Sequence, residues 1–576
     1  MGSSTRGGPG EDSAGAGFEL VSQRVGAFPL VNHFLARAGL PALLERYLPS
    51  DDGRYRLKPA TAVGLVVANL LLGREPLYGL GEWAARFDPV LLGLAPGEVE
   101  LLNDDRVGRA LERLFDADRA SLLTQLLLGV VAEFGVDTRE LHNDSTSISV
   151  SGVYADAIGT PRGGKPTPVI TFGHSKDHRP DLKQLVFILT VAADGAVPIA
   201  YRLADGNTTD DPTHVPTWDG LVALLGRADF LYVADSKLCS REAMGHIAAG
   251  GGRFVTVLPR SRGEDRWFRD WAQTHHPDWT EAGRSPGARA DDPDQVYSTF
   301  PAPLPSAEGY RVIWVHSSAK AARDAASRQA RIEAGAAAID ALAARLAGPK
   351  CRLKTRAVVE AEATALLDRA GAGRWVSYTL TETVEETYRQ ERRGRPGQNT
   401  RYRRHTRTRF SISWDTRLDV LAYDAATDGC FPLITNDTAL TDAQVLTGYR
   451  YQPHLERRHH LLKSVQQAAP VLLRSPARIE ALFCCQFLAL LLGALLEREI
   501  RTAMAAAHTR DIPLYPELRA CTAPSAERLL EIFSDLTRHH LRRDGAHVQT
   551  FEPELNPLQQ QVLDLLAVPA TAYSRT

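Results

Sequence analysis

The chain reads as a mixed α/β protein: a β-containing core follows an all-helical amino-terminal region and is interrupted by a long α+β insertion. Three observations predict this. From Phe18 to about Val136 apolar residues recur at three- and four-residue spacing, the period of amphipathic helices. From Leu141 to Leu258 short runs rich in β-branched residues alternate with helical stretches. Between about Ser261 and Leu440 that alternation gives way to a different texture, and helical patterning resumes at Thr441.

Taken in order, residues 1–17 are rich in Gly and Ser with no apolar run, so they are expected to be a disordered tail and not a signal peptide. In the helical region, 18–136, the expected helices lie at 31–48, 60–72, 80–87 and 107–134, punctuated by Pro41, Pro76 and Pro96-Gly97. The first part of the core, 137–260, opens with a strand at 141–150. Strands at 184–191 and 197–203 form a hairpin around Ala193-Asp194-Gly195. Then come a helix at 212–225, a fully apolar strand at 230–234, a helix at 241–249 and a strand at 254–258. Three strands with a hairpin, then helix, strand, helix, strand: this order fits a ribonuclease-H-like mixed sheet. The insertion, 261–440, carries an Ala-rich helix (320–346), a second helix (355–369) and β-like stretches near 375–381 and 409–422. In the second part of the core, 441–510, Thr441 and Gln444 have capping-box spacing. Pro453 pushes Gln452 out of helical geometry and restarts a helix to about Gln467, and Ser475-Pro476 opens an apolar helix through Glu499. The remainder, 511–576, is expected to be helical.

Composition narrows the function classes. With 576 residues, 44% hydrophobic and 24% charged, the chain can bury a sizeable core. Its 67 basic and 69 acidic side chains nearly cancel, so any nucleic-acid binding must use local patches. Six cysteines, none in a C-x-x-C pair, make neither a disulfide scaffold nor a zinc site. The longest uncharged runs, 481–496 and 59–73, fall short of the roughly 20 residues that span a bilayer, and a cytoplasmic protein is expected.

Three acids stand where strand ends or helix starts would present them: Asp144 inside the first strand, Asp235 closing the apolar run 230–234, and Glu456 in the first turn after Pro453. Each alone could be a capping or ion-pairing acid. Together they suit hard, oxygen-seeking Mg²⁺ or Mn²⁺, and no His/Cys cluster competes. Two such ions about 4 Å apart serve in-line displacement at a phosphodiester.

Two further blocks extend this pattern. One is Leu141-His142-Asn143-Asp144-Ser145-Thr146 followed by the run from Gly173 to Gln184 (GHSKDHRPDLKQ). The other is Gly206-Asn207-Thr208-Thr209-Asp210 with Val233-Ala234-Asp235-Ser236. With the run from Tyr449 to Lys463 (YRYQPHLERRHHLLK) they resemble the catalytic blocks of bacterial insertion-sequence DDE transposases. Among these the chain resembles the insertion sequence 4-like superfamily with its Tyr-Arg-Glu-Lys signature, in the branch called insertion sequence 1634. Tyr449, Glu456 and Lys463 match the signature spacing, while Gln452 stands where the signature has Arg. The resemblance extends from about Phe18 to Leu566. It implies that Asp144, Asp235 and Glu456 hold two Mg²⁺ (or Mn²⁺) ions. These would activate water to nick the element's ends, and then the 3′-OH to join target DNA. It also implies that Lys463 and Tyr449 orient the backbone, that the helical region reads terminal repeats, and that the protein works as a homodimer in a synapse. Seven residues is two helical turns, so Glu456 and Lys463 are expected on one helix face. His459 and His460 are expected at the surface or on DNA backbone.

Basic residues supply the local patches. Arg392, Arg393, Arg395, Arg401, Arg403, Arg404, Arg407 and Arg409 occur with no acid among them, and Gly394-Arg395-Pro396-Gly397 resembles a minor-groove hook. A solvated loop is the alternative. Lys176, Arg179 and Lys183 form a second expected patch after the Asp144 strand, and Arg457 adds to the third block. The rival functions are a nuclease of the same fold that cuts without joining, and a DNA-binding protein that has lost catalysis.

Overall fold

The computed structural model describes residues 17–50, 56–95, 97–287, 292–349, 351–466 and 473–574. The expected tail lies outside them except for Gly17, as does Pro96 of the Pro96-Gly97 break. The protein is mixed α/β with a large mixed sheet. It divides into two compact units, residues 1–255 with 448–576, and residues 256–447.

The described part of the first unit opens with a strand, β1 (Phe18–Arg24), so the amino-terminal region is not all-helical. Six helices follow: α1 (Phe28–Arg37), α2 (Leu40–Tyr47), α3 (Pro59–Leu72), α4 (Leu80–Ala84), α5 (Asp104–Asp116) and α6 (Arg119–Phe134). Gly39, at φ +70°, separates α1 from α2 inside the expected 31–48 helix. Asp118 breaks the expected 107–134 helix by capping α6, its carboxylate accepting from the Ser121 N–H at 3.1 Å. Strands β2 (Glu140–Val150), β3 (Lys183–Ala192) and β4 (Pro198–Ala204) come next. After them lie α7 (His214–Leu225), β5 (Leu231–Ala234), α8 (Arg241–Ala249) and β6 (Arg253–Val257). In this unit the strand order is β4-β3-β2-β5-β6. The β4–β3 and β3–β2 pairs are antiparallel, whereas β2–β5 and β5–β6 are parallel. Strand β3 is buried at every residue but Lys183, because both sheet faces are covered.

In the second unit α9 (Gly263–Trp271), β7 (Thr280–Ser285), β8 (Gln295–Pro301) and β9 (Arg311–Ser317) precede two long helices. These are α10 (Ser318–Ala347) and α11 (Arg356–Ala370). Strands β10 (Val376–Gln390) and β11 (Tyr402–Thr416), α12 (Leu418–Ala425) and β12 (Cys430–Thr435) complete it. Strand order here is β12-β9-β8-β7, all antiparallel, and Phe268 of α9 stacks on Trp314 at 3.7 Å between centroids. Strands β10 and β11 form a two-stranded ribbon in register from Val376↔Thr416 to Gln390↔Tyr402. Its base shares a core with α10 and α11 through Ile339, Val359, Leu367, Val376, Phe410 and Ile412. The four strands of the sheet and α9 and α12 are elements that the insertion's sequence pattern did not reveal.

Next, α13 (Asp442–Tyr449) starts with the expected capping box, the Thr441 N–H donating to Gln444 Oε1 (2.9 Å) and the Gln444 N–H to Thr441 Oγ1 (3.2 Å). Helix α14 (Gln452–His460) includes Gln452 as its first residue, contrary to the expectation from Pro453. Proline tolerates a position in the first turn, where its missing N–H costs nothing. A π-helical turn at Leu461–Val465 follows. Ser475 caps α15 (Pro476–Ala506), and this 31-residue helix is long and apolar enough to cross a membrane, which corrects the estimate from uncharged runs. Its most apolar 18-residue window is 89% buried within the protein, and Phe483 and Phe487 pack on Phe187 and Tyr201 of the sheet. It is the core helix of this unit. The last residues are not all helical: β13 (Ile512–Tyr515), β14 (Arg519–Cys521), α16 (Ala526–Glu531), β15 (Thr537–Arg543), β16 (Ala546–Phe551) and α17 (Pro557–Leu565). Strand β15 pairs with both β1 and β16. That explains the misreading of both ends, since β1 takes its backbone hydrogen bonds from a partner over 500 residues away and leaves no local periodicity of its own.

Candidate active site

The site is set by the parallel contact of β2 with β5. Their pairing ends at Asn143↔Ala234, so the next residue on each strand is Asp144 and Asp235. Neither acid has a free choice of position. Asp144 turns one carboxylate oxygen to the Ser145 N–H (2.7 Å), and Asp235 caps a 3₁₀ turn by accepting from the Lys237 N–H (3.0 Å). Burial pushes the Asp144 carboxyl up to about 6, against the pull of Lys176 and the Ser145 N–H and with the help of Asp235 and Asp210. Burial raises Asp235 as well, with Asp210 adding to it.

A third aspartate and a lysine complete the cluster. The ammonium of Lys176 lies 3.0 Å from Asp210 Oδ2 and 3.6 Å from Asp144 Oδ1, and donates to Ser145 O (2.7 Å) and Oγ (2.8 Å). The Ser145 hydroxyl in turn donates to Asp210. Burial alone would raise Asp210; the Ser145 hydroxyl and Lys176 outweigh it and hold this carboxyl below its ordinary value. Lys176 reaches the acids because its loop is clasped to the sheet. The Gln184 amide donates to Gly206 O (2.8 Å) and His174 O (3.2 Å), and a Cβ on Gly173 or Gly206 would collide with backbone oxygens there. These two glycines are required by close approach.

Helices α13 and α14 bring the third block to the same place. The Tyr449 phenol is pushed up to about 12 by burial and by the charges of Asp235, Glu456 and Asp144, so it lies within electrostatic reach of all three expected acids. Glu456 itself is exposed. Helix α14 is anchored by Arg458, whose buried guanidinium pairs with buried Glu497 of α15 (2.9 Å) and donates to Ala196 O (3.0 Å) and Gly195 O (2.9 Å). His459 is not at the surface. It is buried with Nδ1 3.8 Å from Asp144 Oδ2. Burial, with Lys176 and Lys463 nearby, lowers it to about 3, so it packs as a neutral imidazole and makes no ion pair. Lys463 sits in the π turn and not two α-helical turns beyond Glu456, and its ammonium holds Asp177 Oδ1 at 2.7 Å.

The expected second basic patch is therefore not a patch. Lys176 is spent on the acids, Arg179 on Asp181 (2.8 Å) and Lys183 on the Val153 carbonyl (2.7 Å). Arg457 is exposed and lies 4.0 Å from Glu497. Of the arginine run, Arg392, Arg393, Arg395 and Arg401 lie in the loop closing the β10–β11 ribbon, and Arg403, Arg404, Arg407 and Arg409 lie on β11. Arg409 pairs with Glu385 (2.6 Å) and Arg404 with Glu386 (3.3 Å). Among the described residues the other six make no ion pair, so the run is largely uncompensated.

Sequence reasoning missed Asp210, Ser145, Asp177 and His459 as members of the cluster. Asp210 and Ser145 stood inside blocks already singled out, but the partner that joins them is a lysine in a separate loop. Among the described residues no group of three or more His, Cys, Asp or Glu is gathered closely enough to hold a metal ion. The donors that do converge are carboxylate, hydroxyl and carbonyl oxygens around one cation, Lys176 Nζ. This hard-oxygen set has the chemistry of Mg²⁺ or Mn²⁺ and not of zinc.

Residues 20–128 match the model of a domain of unknown function, DUF4277, a domain that occurs in transposase-like proteins. No curated protein matches the chain.

Proposed function

We propose that this chain is a DDE transposase of an insertion sequence, of the Tyr-Arg-Glu-Lys type, acting on DNA through a ribonuclease-H-like core. The observation that carries the reading is the register of β2 and β5, which sets Asp144 and Asp235 side by side at the end of two parallel strands. The strand order β4-β3-β2-β5-β6, with one antiparallel hairpin side and one parallel side, supports the ribonuclease-H-like assignment. The matched amino-terminal domain supports the transposase assignment. The substrate is DNA, the element's ends and a target, and the working form is a homodimer in the cytoplasm.

In this reading Asp144 and Asp235, at adjacent strand ends, and the exposed Glu456 would hold two Mg²⁺ or Mn²⁺ ions. This requires Glu456 to close on the aspartates, because the three are not gathered as a metal set among the described residues. Bound there, such ions supply activation of water or a 3′-OH and stabilisation of the leaving oxygen. The protein's own groups do the rest. The raised Asp144 and Asp235 carboxyls are partly buried and presented together. Lys176 neutralises them in the absence of DNA, with Asp210 as the carboxylate that keeps the ammonium when the acids are engaged elsewhere. Tyr449 donates from a phenol that stays protonated at every working pH. Lys463 exchanges Asp177 for a phosphate of the bound strand.

The test is strand transfer. Labelled duplexes from the DNA flanking the gene are incubated with plasmid and Mg²⁺, comparing the wild type with Glu456→Gln. Joined product from the wild type alone supports the proposal. Cleavage without joining assigns a nuclease, and binding without either removes the catalytic assignment.

A further inference from the structure

The unit 256–447 holds a cleft of about 710 Å³ whose charged groups differ in availability. Five aspartates face it, and each is already engaged. Asp265 accepts twice from Arg269 (2.6 and 3.1 Å), and Asp428 twice from Arg328 (2.8 and 2.5 Å). Asp424 accepts from Arg374 (both 2.7 Å) and from the Trp375 indole (2.7 Å). Asp270 takes the Tyr423 hydroxyl (2.6 Å), and Asp324 takes Lys320 (2.5 Å) and the Gly429 N–H (3.1 Å). Three more guanidiniums, Arg260, Arg266 and Arg331, line the same cleft. They are exposed and, among the described residues, in no ion pair; Arg260 influences Asp324 only through space. Three of the acids are thus spent on fixing arginines and Asp324 on a lysine, while Asp270 meets only a hydroxyl; three unpaired guanidiniums against that one carboxylate leave the cleft net cationic.

We propose that this cleft binds a phosphate ester carrying two or more negative charges, held by Arg260, Arg266 and Arg331. Guanidinium is the side chain whose planar fork matches phosphate oxygens two at a time. The cleft is far larger than a lone phosphate and within the roughly 300–1,000 Å³ of ordinary ligand sites. The Arg269, Arg328 and Arg374 pairs give it rigid walls, so little ordering remains to be done on binding. Half-buried Trp375 and Tyr423 offer a ring against which a base can lie. The phosphate can belong to a nucleic-acid strand or to a free nucleotide; the chemistry recognised is the same. This inference does not depend on the acids of the other unit.

The test uses the full chain and three probes: pyrophosphate, ATP without metal, and a labelled twelve-nucleotide oligo-dT. Wild type is compared with the double variant Arg266→Glu/Arg331→Glu, whose positions are exposed and unpaired, so folding is retained and is checked by circular dichroism. Binding should weaken at least about tenfold in the variant, the worth of one charge-assisted contact. The variant Arg266→Lys/Arg331→Lys should recover part of it. If ATP or pyrophosphate binds and competes with the oligonucleotide, the ligand is a free phosphoanion. If only the oligonucleotide binds, and the variant's slope of log K against log salt falls by roughly 1 to 2, the ligand is a strand. Equal affinity of both proteins for every probe, or no binding of any, overturns the proposal.

Discussion

Replacing Asp144 by Asn should make the protein more stable at neutral pH and leave it unchanged in acid. The folded chain holds the Asp144 carboxyl at about 6 against an ordinary 3.8, because the group is largely buried and faces Asp235 and Asp210. A carboxyl whose pKa rises on folding binds its proton more tightly in the folded state. Its contribution is therefore fully present below about 3.8 and is lost as pH rises through about 6. Two pKa units correspond to about 3 kcal/mol at pH 7.5, and Asn, the shape of the protonated acid, escapes that cost. For a unit of roughly 380 residues this is a rise of about 3–4 °C in midpoint, since the unfolding entropy grows with size. Scanning calorimetry of both proteins at pH 4 and pH 7.5, without divalent ions, reads the difference directly. Equal midpoints at pH 7.5, or a variant that is stabilised equally at both pH values, would refute the account of Asp144 as a buried, electrostatically crowded acid. Under the proposed function the same change would abolish activity, the pattern of a functional site built at the expense of stability.

Other outcomes follow from the same geometry. Lys176→Met removes the cation shared by Asp144 and Asp210, so stability at pH 7.5 should fall by several kcal/mol while at pH 4 it changes by much less; urea titrations at the two pH values check this. Arg458→Met takes from buried Glu497 the nearest of its arginines, leaving Arg501 at 3.6 Å, Arg457 at 4.0 Å and the Ala526 N–H, and should cost about 1–3 kcal/mol. The double change Arg458→Met/Glu497→Met should recover most of that, as a double-mutant cycle would read. Replacing Arg392, Arg393, Arg395 and Arg401 by Ser should flatten the slope of log K against log salt for duplex DNA by roughly three to four units; an unchanged slope removes the ribbon loop from the DNA footprint.

What was legible in the sequence divides along physical lines. The strands at 183–192 and 231–234 announced themselves because a sheet covered on both faces needs nearly unbroken apolar runs, whereas that at 140–150 showed through its Ser, Thr and β-branched residues. The capping box at Thr441 and the Ser475-Pro476 start are local chemistry and formed as expected. Strand β1 was illegible because its partner β15 lies at the other end of the chain. The strands of the insertion were hidden for a related reason: β7 and β8 are short and half-exposed, with no run long enough to stand out. At the site, positions were easier to read than pairings. Asp144 and Asp235 stand side by side at the strand ends while Glu456 is exposed and the three form no gathered set among the described residues. The expected basic patch dissolved into Lys176 among the acids, Arg179 on Asp181 and Lys183 on a carbonyl. A sequence gives the charge of a lysine and not which carboxylate it will meet.

The role of Lys176 follows from the order in which charges must be dealt with. Three aspartates at one end of a buried sheet cannot all ionise without a counter-charge, and burial already raises two of them. A lysine on a clasped loop supplies that charge within the same chain. Its two strongest partners are Asp210 and Ser145, not Asp144, which lies farther away at 3.6 Å. The ammonium is thus held from the side of the cluster that the proposed chemistry does not use. A divalent cation arriving at Asp144 and Asp235 would compete for one weak contact of Lys176 and leave its stronger ones intact. Exchange of one cation for another at this place then requires a small displacement of a side chain and no unfolding of the loop that carries it.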